Sequence, residues 1–282
     1  MKVKSLPQIS PAGVTPRHHP GHIPGEPILR VQHLNLTYEG GVALQDVTFE
    51  LTSGERMAVV GPNGAGKSTL FKIIAGLLKP DSGMVSVFGA APSGHICISY
   101  LPQHSHVDWN FPVTVSDVVM MGRTRKIGFL RWPSASDREF VSRALRTVGL
   151  NELSQRQISQ LSGGQQQRMF IARALAQEAD LMLLDEPVTG LDTPSQEELF
   201  TVLESLKKEK VTVMFALHDL KLAARRFDRV MLLNHRLVGI GKPVEVFTRE
   251  HLSKAYGEHI QVLENGHGLS MVDDTCCGEE KG

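Results

Sequence analysis

The sequence predicts an α/β fold with a buried parallel sheet, a glycine-rich loop and a helical insert. Apolar residues 57–60 precede the glycine-rich stretch 61–69, which leads into the apolar stretch 70–75. That order indicates strand, loop and helix. The uninterrupted apolar run 181–184 is typical of a strand buried on both faces of a parallel sheet. Helical periodicity within residues 102–159 indicates that an α-helical segment interrupts the α/β part.

Composition limits the classes of protein that this chain can be. It has 282 residues, 41% of them hydrophobic, which is enough for a full core. Lys plus Arg and Asp plus Glu each number 30, and this balance argues against broad electrostatic binding to nucleic acid or an anionic membrane. No apolar run is long enough to span a membrane, no signal-peptide segment is evident, and the three cysteines suggest no disulfide framework. We therefore expect a soluble protein of a reducing compartment.

The remaining elements follow from periodicity and turn residues. Strands are predicted at 28–36, 47–51, 84–88, 96–100, 211–216, 229–233 and 236–240. Helices are predicted at 116–121, 136–148, 165–177 and 195–208. In the helix at 136–148, Ser136 is followed three residues later by Glu139, which predicts a capping box.

The two ends differ from the body of the chain. Residues 1–27 combine prolines and glycines with His18, His19 and His22 and predict a flexible tail, although the histidines leave metal binding open. Residues 265–282 are polar and predict a second flexible tail. The folded body is then 28–264, with the helical insert at about 104–160.

The loop at 61–69 has the spacing of a phosphate-binding P-loop. Its members are Gly61, Pro62, Asn63, Gly64, Ala65, Gly66, Lys67, Ser68 and Thr69. The glycines let backbone N–H groups approach an anion, and the helix that follows directs its positive end at the phosphates. We expect Lys67 to reach the β- and γ-phosphates and Ser68 to bind Mg²⁺. A glycine-rich turn without a ligand is the alternative, and the flanking strand and helix disfavour it.

Two acids end the apolar run at 181–184. In P-loop enzymes a carboxylate at a strand end helps to hold Mg²⁺ opposite the P-loop hydroxyl, which predicts that role for Asp185. Glu186 is then placed to orient or deprotonate a water beside the γ-phosphate. The alternative is a pair of exposed acids at the start of a loop or helix, which the preceding P-loop disfavours.

A second glycine-rich sequence opens the helix predicted at 165–177. It consists of Leu161, Ser162, Gly163, Gly164 and Gln165. The serine and the glycine N–H groups predict another anion cradle, on the same physical grounds as the P-loop. A glycine-rich helix start without a ligand is the alternative.

The three motifs occur in one order and resemble the ATP-binding subunit of an ABC transporter, from about residue 28 to 246. The resemblance implies a P-loop NTPase (RecA-like) core with an antiparallel β subdomain and an inserted α-helical subdomain. It implies an ATP-hydrolysing domain at 28–264 that uses ATP and Mg²⁺ and is coupled to transmembrane transport. The chemistry is then shared, because the serine–glycine cradle of one chain covers the γ-phosphate held by a second copy.

The same resemblance implies roles for four more residues. Tyr38 stacks on adenine, and Gln103 touches Mg²⁺ and water while contacting the membrane partner. Asp192 lies at the dimer seam. His218 contacts the γ-phosphate and holds Glu186.

The resemblance also implies where the subunit works and with what. Its partners are a second copy of itself, integral membrane permease subunits and, indirectly, an extracytoplasmic metal-binding protein, with no nucleic acid. It lies peripherally on the cytoplasmic face of the cell membrane. Docking onto a permease is compatible with the absence of net charge, since it needs no charged surface for lipid.

One stretch resembles the manganese, zinc and iron uptake branch of that family. It comprises Val-Asp-Trp-Asn-Phe-Pro at 107–112 and Asp-Val-Val-Met-Met-Gly-Arg at 117–123. We therefore expect import of a transition-metal ion, with manganese first and zinc or iron as alternatives. Trp109 and Phe111 are either anchors for a permease or ordinary packing residues of the insert.

Other classes remain open at this point. A soluble P-loop kinase or stand-alone ATPase shares the P-loop, but the second glycine-rich sequence argues against a kinase. A non-transport ABC ATPase that acts on nucleic acid or ribosomes usually has two ATP domains or long coiled coils, and this chain has one P-loop and no heptad run. An ABC ATPase that energises export or iron-chelate uptake differs from our expectation only in the stretch around Trp109.

Overall fold

The structure is a computed structural model that describes residues 26–92, 97–103, 108–128 and 130–257 and the backbone of 260–265 and 268–273. Most of the predicted N-terminal tail, with its histidines, lies outside the described residues, as do Cys276 and Cys277. The strands are β1 Leu29–Tyr38, β2 Gly41–Leu51, β3 Arg56–Val60, β4 Ser82–Val87, β5 Ile98–Leu101, β6 Leu181–Asp185, β7 Thr212–Leu217, β8 Arg229–Asn234, β9 Arg236–Gly241, β10 Ile260–Asn265 and β11 Gly268–Asp273. The α-helices are α1 Lys67–Ile74, α2 Val115–Met121, α3 Thr124–Ile127, α4 Ala135–Thr147, α5 Gly163–Ala176, α6 Thr193–Lys208, α7 Leu220–Arg226, α8 Pro243–Val246 and α9 Arg249–Tyr256.

The central sheet has the strand order β5-β6-β7-β3-β8-β9, in which β9 alone runs antiparallel to its neighbour. Every residue of β3, β6 and β7 is buried, as their apolar runs predict. Side chains alternate between the faces of the sheet. Met182 and Leu184 join the apolar core on one face, and Leu181 and Leu183 join the core on the other.

Each face of the central sheet is covered by a different layer. On one face lie α1 and the antiparallel sheet β2-β1-β4. On the other face a continuous apolar core includes residues of α2, α4, α5 and α6. Because the parallel strands β3, β6 and β7 end at the same edge, this arrangement brings the loops that follow them together. The predicted α/β architecture, with an antiparallel sheet and a helical insert, is confirmed.

Arg123 anchors the helical insert. Its side chain is 7% exposed and forms ion pairs with Asp137 of α4, at 3.1 Å, and Glu178 after α5, at 2.8 Å. It also donates to the Ala176 carbonyl at 3.0 Å. Preceding Gly122 is equally constrained, because a Cβ there would lie 2.3 Å from the carbonyl oxygen of Arg173. Gly122 and Arg123, at the end of the stretch 117–123, therefore hold α2, α4 and α5 together.

The predicted cap of α4 was wrong by two residues. Ser134, rather than Ser136, accepts the N–H of residue 137 at its hydroxyl, and the Asp137 carboxylate accepts the Ser134 N–H at 2.9 Å. Glu139 is exposed. Both pairs have capping-box spacing, and Asp137 prevails because its carboxylate also binds the buried Arg123.

The sequence predicts a flexible tail from residue 265, and the described backbone within that range is strand β11. Strand β11 pairs antiparallel with β10, from Ile260 opposite Asp273 to Asn265 opposite Gly268. Between the paired residues Asn265 and Gly268 the sequence has Gly266 and His267, and glycine in the first position of a two-residue connection is a hairpin signal. Among the described residues, no helix is both long and apolar enough to cross a membrane.

Candidate functional site

Close backbone contacts shape the P-loop between β3 and α1. A Cβ on Gly61 would lie 2.0 Å from the carbonyl oxygen of Leu233 on β8. Gly66 has φ 94°, and a Cβ there would lie 2.5 Å from the Ala43 carbonyl oxygen. Gly64 has φ 79°, but a Cβ there would meet no atom of the described residues within 4 Å. The loop thus needs glycine at 61 and 66 for space and at 64 and 66 for backbone conformation.

Lys67 is the buried cation of the loop, with a side chain that is 5% exposed. Its Nζ donates to the carbonyl oxygens of Gly61 at 2.7 Å and Pro62 at 3.1 Å, and lies 3.8 Å from Glu186 Oε1. Burial lowers the pKa of Lys67, and the negative charges of Glu186 and Asp185 oppose that effect. A bound phosphate would compensate this buried charge further.

Asp185 ends β6 and is 2% exposed. Its Oδ2 accepts the Tyr100 hydroxyl at 3.1 Å, and its carboxylate is also hydrogen-bonded to Ser68. Burial raises the pKa of Asp185, the Ser68 and Tyr100 hydrogen bonds lower it, and Glu186 raises it. Oδ1 is buried and has no hydrogen-bond partner among the described residues.

These oxygens fit Mg²⁺. The ion prefers oxygen ligands, and it binds through few protein carboxylates together with substrate phosphates. The structure brings the predicted ligands Ser68 and Asp185 into contact, and no described residue donates a hydrogen bond to Asp185 Oδ1. Direct contact of Gln103 with the ion stays a prediction, because the Gln103 amide donates to Glu186 instead.

Glu186 adopts a left-handed backbone conformation with φ 50°, which a non-glycine residue rarely takes and which is concentrated at functional sites. Its Oε2 accepts Gln103 Nε2 at 2.7 Å and the Thr189 hydroxyl at 3.4 Å. Its side chain is 12% exposed. The carboxylate is thus held beside Lys67, where the sequence predicts the group that orients water.

His218 and Asp192 both have exposed side chains. His218 follows β7 at the same sheet edge as Asp185, because β6 and β7 are neighbours. It is exposed, and no hydrogen bond joins it to Glu186 in the described part of the chain. Asp192 is the exposed N-cap of α6 and makes no side-chain cap. The roles of both residues stay predictions.

A cleft of about 670 Å³ opens over the P-loop. Its walls come from the end of β1, the start of β2, the P-loop with the first turn of α1, the hydrogen-bonded pair Gln103 and Glu186, and the turn between β8 and β9. The lining residues are Tyr38, Gly40, Gly41, Val42, Ala43, Asn63, Gly64, Ala65, Gly66, Lys67, Ser68, Thr69, Gln103, Glu186 and His235. Tyr38 is 48% exposed, so its ring is available to a base. The volume lies within the range of small-ligand sites.

The second glycine-rich sequence lies elsewhere. Ser162 is the N-cap of α5, and Gln165 completes a capping box by accepting the Ser162 N–H at 3.0 Å. A Cβ on Gly164 would lie 2.6 Å from the Ser195 Cβ, so glycine is needed for packing against α6. None of residues 161–165 lines the cleft described above.

Sequence reasoning missed two residues of the site. His235, with φ 55°, donates its N–H to the Ala65 carbonyl at 2.9 Å and places Nδ1 3.2 Å from the Ala43 carbonyl oxygen. Tyr100 donates to Asp185. Both act across elements that are distant in sequence, so no local spacing reveals them. A hydroxyl-bearing aromatic residue three positions before Gln103 was the available signal for Tyr100.

The family model described as ABC transporter matches residues 44–189. The chain belongs to the ABC transporter family. The manganese transport system ATP-binding protein MntB of Bacillus subtilis is 42% identical over 85% of this chain and 98% of its own length. The zinc transport system ATP-binding protein TroB of Treponema pallidum is 45% identical over 82% of this chain and 88% of its own.

Solved structures agree with this membership. A metal-chelate type ABC transporter in an inward-facing conformation has a chain with TM-score 0.74 and 30% identity, matched over 87% of this chain and 96% of that one. CbiO1 of Clostridium perfringens, part of the transporter complex CbiONQ, has TM-score 0.69 and 31% identity over 80% and 93%. The P-loop ATPase core is confirmed, and the alternative of a soluble kinase is not supported.

Proposed function

We propose that this chain is the ATP-hydrolysing subunit that powers a membrane permease importing a transition-metal ion, with manganese as the first candidate and zinc and iron as the alternatives. The observation that carries the proposal is the similarity, over 82–85% of this chain, to ATP-binding subunits named for manganese and zinc transport. The YfeB protein of Yersinia pestis, named for chelated iron transport, is 43% identical over 88% of this chain and keeps iron among the candidates.

The site supports ATP hydrolysis. Mg²⁺, when bound with ATP by Ser68 and Asp185, supplies positive charge that offsets the charge developing on the phosphates. Lys67 lies inside the P-loop, where it can reach the β- and γ-phosphates. Glu186 is held by Gln103 in position to orient a water and accept its proton. Tyr38 offers its exposed ring to adenine.

A second copy completes the catalytic unit in this proposal. The cleft of one chain contains no residue of the sequence 161–165, although the N–H groups at the start of α5 suit an anion. Contact of these residues with the γ-phosphate then comes from a partner chain, with Asp192 and His218 near the seam. ATP joins the two copies, and hydrolysis releases them.

A permease docks on the groove beside β5. This groove of about 710 Å³ is lined by large side chains such as Leu77, Tyr100, Met121 and Phe170, together with the charged Arg125 and Arg173. Leu77 and Met121 are exposed to 67% and 47% and line the same groove, and clustered exposed apolar side chains of this kind mark interaction surfaces. Such docking places the subunit peripherally on the cytoplasmic face of the membrane. An extracytoplasmic metal-binding protein delivers the ion and acts only indirectly on this chain.

Trp109 and Phe111 divide between the two roles considered for them. Trp109 packs edge-on against Phe170, with ring centroids 6.0 Å apart, and so supports the groove wall from inside the insert. Phe111 is 56% exposed and available to the permease. The stretch 107–112 thus supports the wall of the proposed docking groove through Trp109 and offers an exposed side chain beside it through Phe111.

The function is tested by metal accumulation in a strain that lacks this gene. We expect cellular manganese to fall and to be restored by the wild-type chain but not by Glu186→Gln, which keeps ATP binding and loses turnover. A fall in zinc or iron alone would reassign the ion. Unchanged levels of all three metals would contradict metal uptake and favour export or a non-transport ABC function.

A further inference from the structure

Tyr100 connects the groove to the acidic end of β6. It lies on β5, the edge strand of the central sheet, opposite Leu183 of β6. Its side chain lines the groove, and its hydroxyl donates to Asp185 Oδ2 at 3.1 Å. One side chain therefore touches both a surface open to a partner and the carboxylate that fits Mg²⁺.

The hydrogen bond from Tyr100 makes the two Asp185 oxygens different. Oδ2 is engaged by the phenol, whereas Oδ1 is buried without a hydrogen-bond partner among the described residues. Outer hydrogen bonds of this kind orient a ligating carboxylate and tune its affinity for a metal. Loss of the phenol bond would free the carboxylate to rotate and offer Oδ2 or Oδ1 without preference.

The end of β5 touches both acids at once. Three residues after Tyr100, Gln103 donates to Glu186 Oε2 at 2.7 Å. A partner that binds in the groove and displaces this strand end would therefore change the hydrogen bonds, and with them the orientation, of the Asp185 and Glu186 carboxylates together. The edge position of β5 favours such movement, since only β6 pairs with it in the described sheet.

We propose that Tyr100 is a positioning residue that couples occupancy of the groove to the strength with which Asp185 holds Mg²⁺. The identity of the groove's occupant, a permease, rests on the proposed function. The effect of the phenol on Mg²⁺ does not, because it follows from the contact with Asp185 alone. The two parts can therefore be tested separately.

The first test measures Mg²⁺ dependence of nucleotide binding in the isolated full chain. Tyr100→Phe keeps the ring and removes the hydroxyl, and Tyr256→Phe makes the same change at the end of α9, which packs beside β8 and β9. Both are made in Glu186→Gln to prevent turnover, and binding of a fluorescent ATP analogue is followed during a Mg²⁺ titration. We expect Tyr100→Phe to raise the half-saturating Mg²⁺ concentration roughly three- to tenfold, the range for one lost hydrogen bond.

Binding of the analogue in EDTA should be the same for both variants, which separates a metal effect from a general loss of structure. Equal Mg²⁺ constants for Tyr100→Phe and the parent would overturn the proposal. An equal rise in Tyr256→Phe would also overturn it, because the effect would then not depend on Asp185.

The second test adds the permease. In proteoliposomes that contain the complete transporter, Tyr100→Phe on the catalytically competent chain should lower the ratio of permease-stimulated to basal ATPase activity when Mg²⁺ is held near its half-saturating concentration for the wild type. An unchanged ratio would overturn the coupling. Absence of stimulation in the wild-type complex would instead contradict the proposed permease, and the Mg²⁺ titration would still decide the role of Tyr100 at Asp185.

Discussion

At the scale of single residues, crowding decides which P-loop glycines have no substitute. Gly61 and Gly64 belong to the same motif but meet different surroundings. The backbone of Leu233 fills the space where a side chain at 61 would begin, whereas no atom of the described residues lies within 4 Å of a Cβ at 64. The cost of a side chain at 64 is limited to its positive φ of 79°.

Gly61→Ala should therefore destabilise the fold more than Gly64→Ala. The Cβ of the first variant overlaps a carbonyl on β8, which pairs with β3, so a strand must shift, at about 3 kcal/mol or more. The second should cost about 1–2 kcal/mol from backbone strain. Urea unfolding of both variants measures the difference. Equal losses would mean that β8 yields easily, contrary to the close approach seen here.

Sequence spacing predicted the site where the chemistry is local and failed where it is not. The P-loop, Asp185 and Glu186 follow from residues adjacent in the chain, and the structure places them together. Tyr100 and His235 reach the site only through strand order and a turn between β8 and β9. Single-sequence patterns carry no information on which strands become neighbours.

At the scale of elements, two capping boxes of the insert make a matched pair. Thr114 and Asp117 cap α2 at an exposed position, whereas Ser134 and Asp137 cap α4 and also bind Arg123. The incorrect choice of Ser136 for α4 shows the limit of local rules. Two overlapping pairs satisfied the spacing, and a buried arginine from another helix selected between them.

Asp137→Ala should cost about 3 kcal/mol, against about 1 kcal/mol for Asp117→Ala. Both changes remove a cap, but only the first takes a partner from a buried guanidinium. Hydrogen bonds from Ser134 and the charge of Arg123 lower the pKa of Asp137. Its contribution is therefore complete above the unfolded pKa of about 4 and is lost as pH falls through the folded value.

Unfolding free energies at pH 7 and at pH near 3 measure both effects. The gap between wild type and Asp137→Ala should narrow at the lower pH, because below the unfolded pKa the proton binds the unfolded chain more readily than the folded one, whose Asp137 has a lowered pKa. A gap that stays constant with pH would show that packing, and not charge, makes Asp137 important.

At the scale of the whole molecule, the P-loop cleft and the start of α5, which we propose to be the two halves of a shared site, do not meet within one chain. The cleft holds Lys67 and Glu186, and the start of α5 with Ser162 lies outside it. Two copies placed head to tail would make two complete sites, each with the P-loop of one chain and the serine of the other. In a dimer of one chain with a defective P-loop and one chain with a defective Ser162, both defects therefore fall in the same site, and the other site has neither.

Mixing two defective chains should consequently restore one site. Lys67→Ala removes the buried cation, and Ser162→Asp keeps a residue able to cap α5 while placing a negative charge against the γ-phosphate. In the Glu186→Gln background neither variant alone should form an ATP-dependent dimer. In a one-to-one mixture, one site combines both defects and the other has neither, so a dimer with one tightly held ATP should elute in size-exclusion chromatography.

If the mixture stays monomeric at saturating ATP and Mg²⁺ while the Glu186→Gln parent dimerises, a single intact site does not hold two chains together. If the Lys67→Ala chain dimerises alone, the P-loop is not the group that joins them.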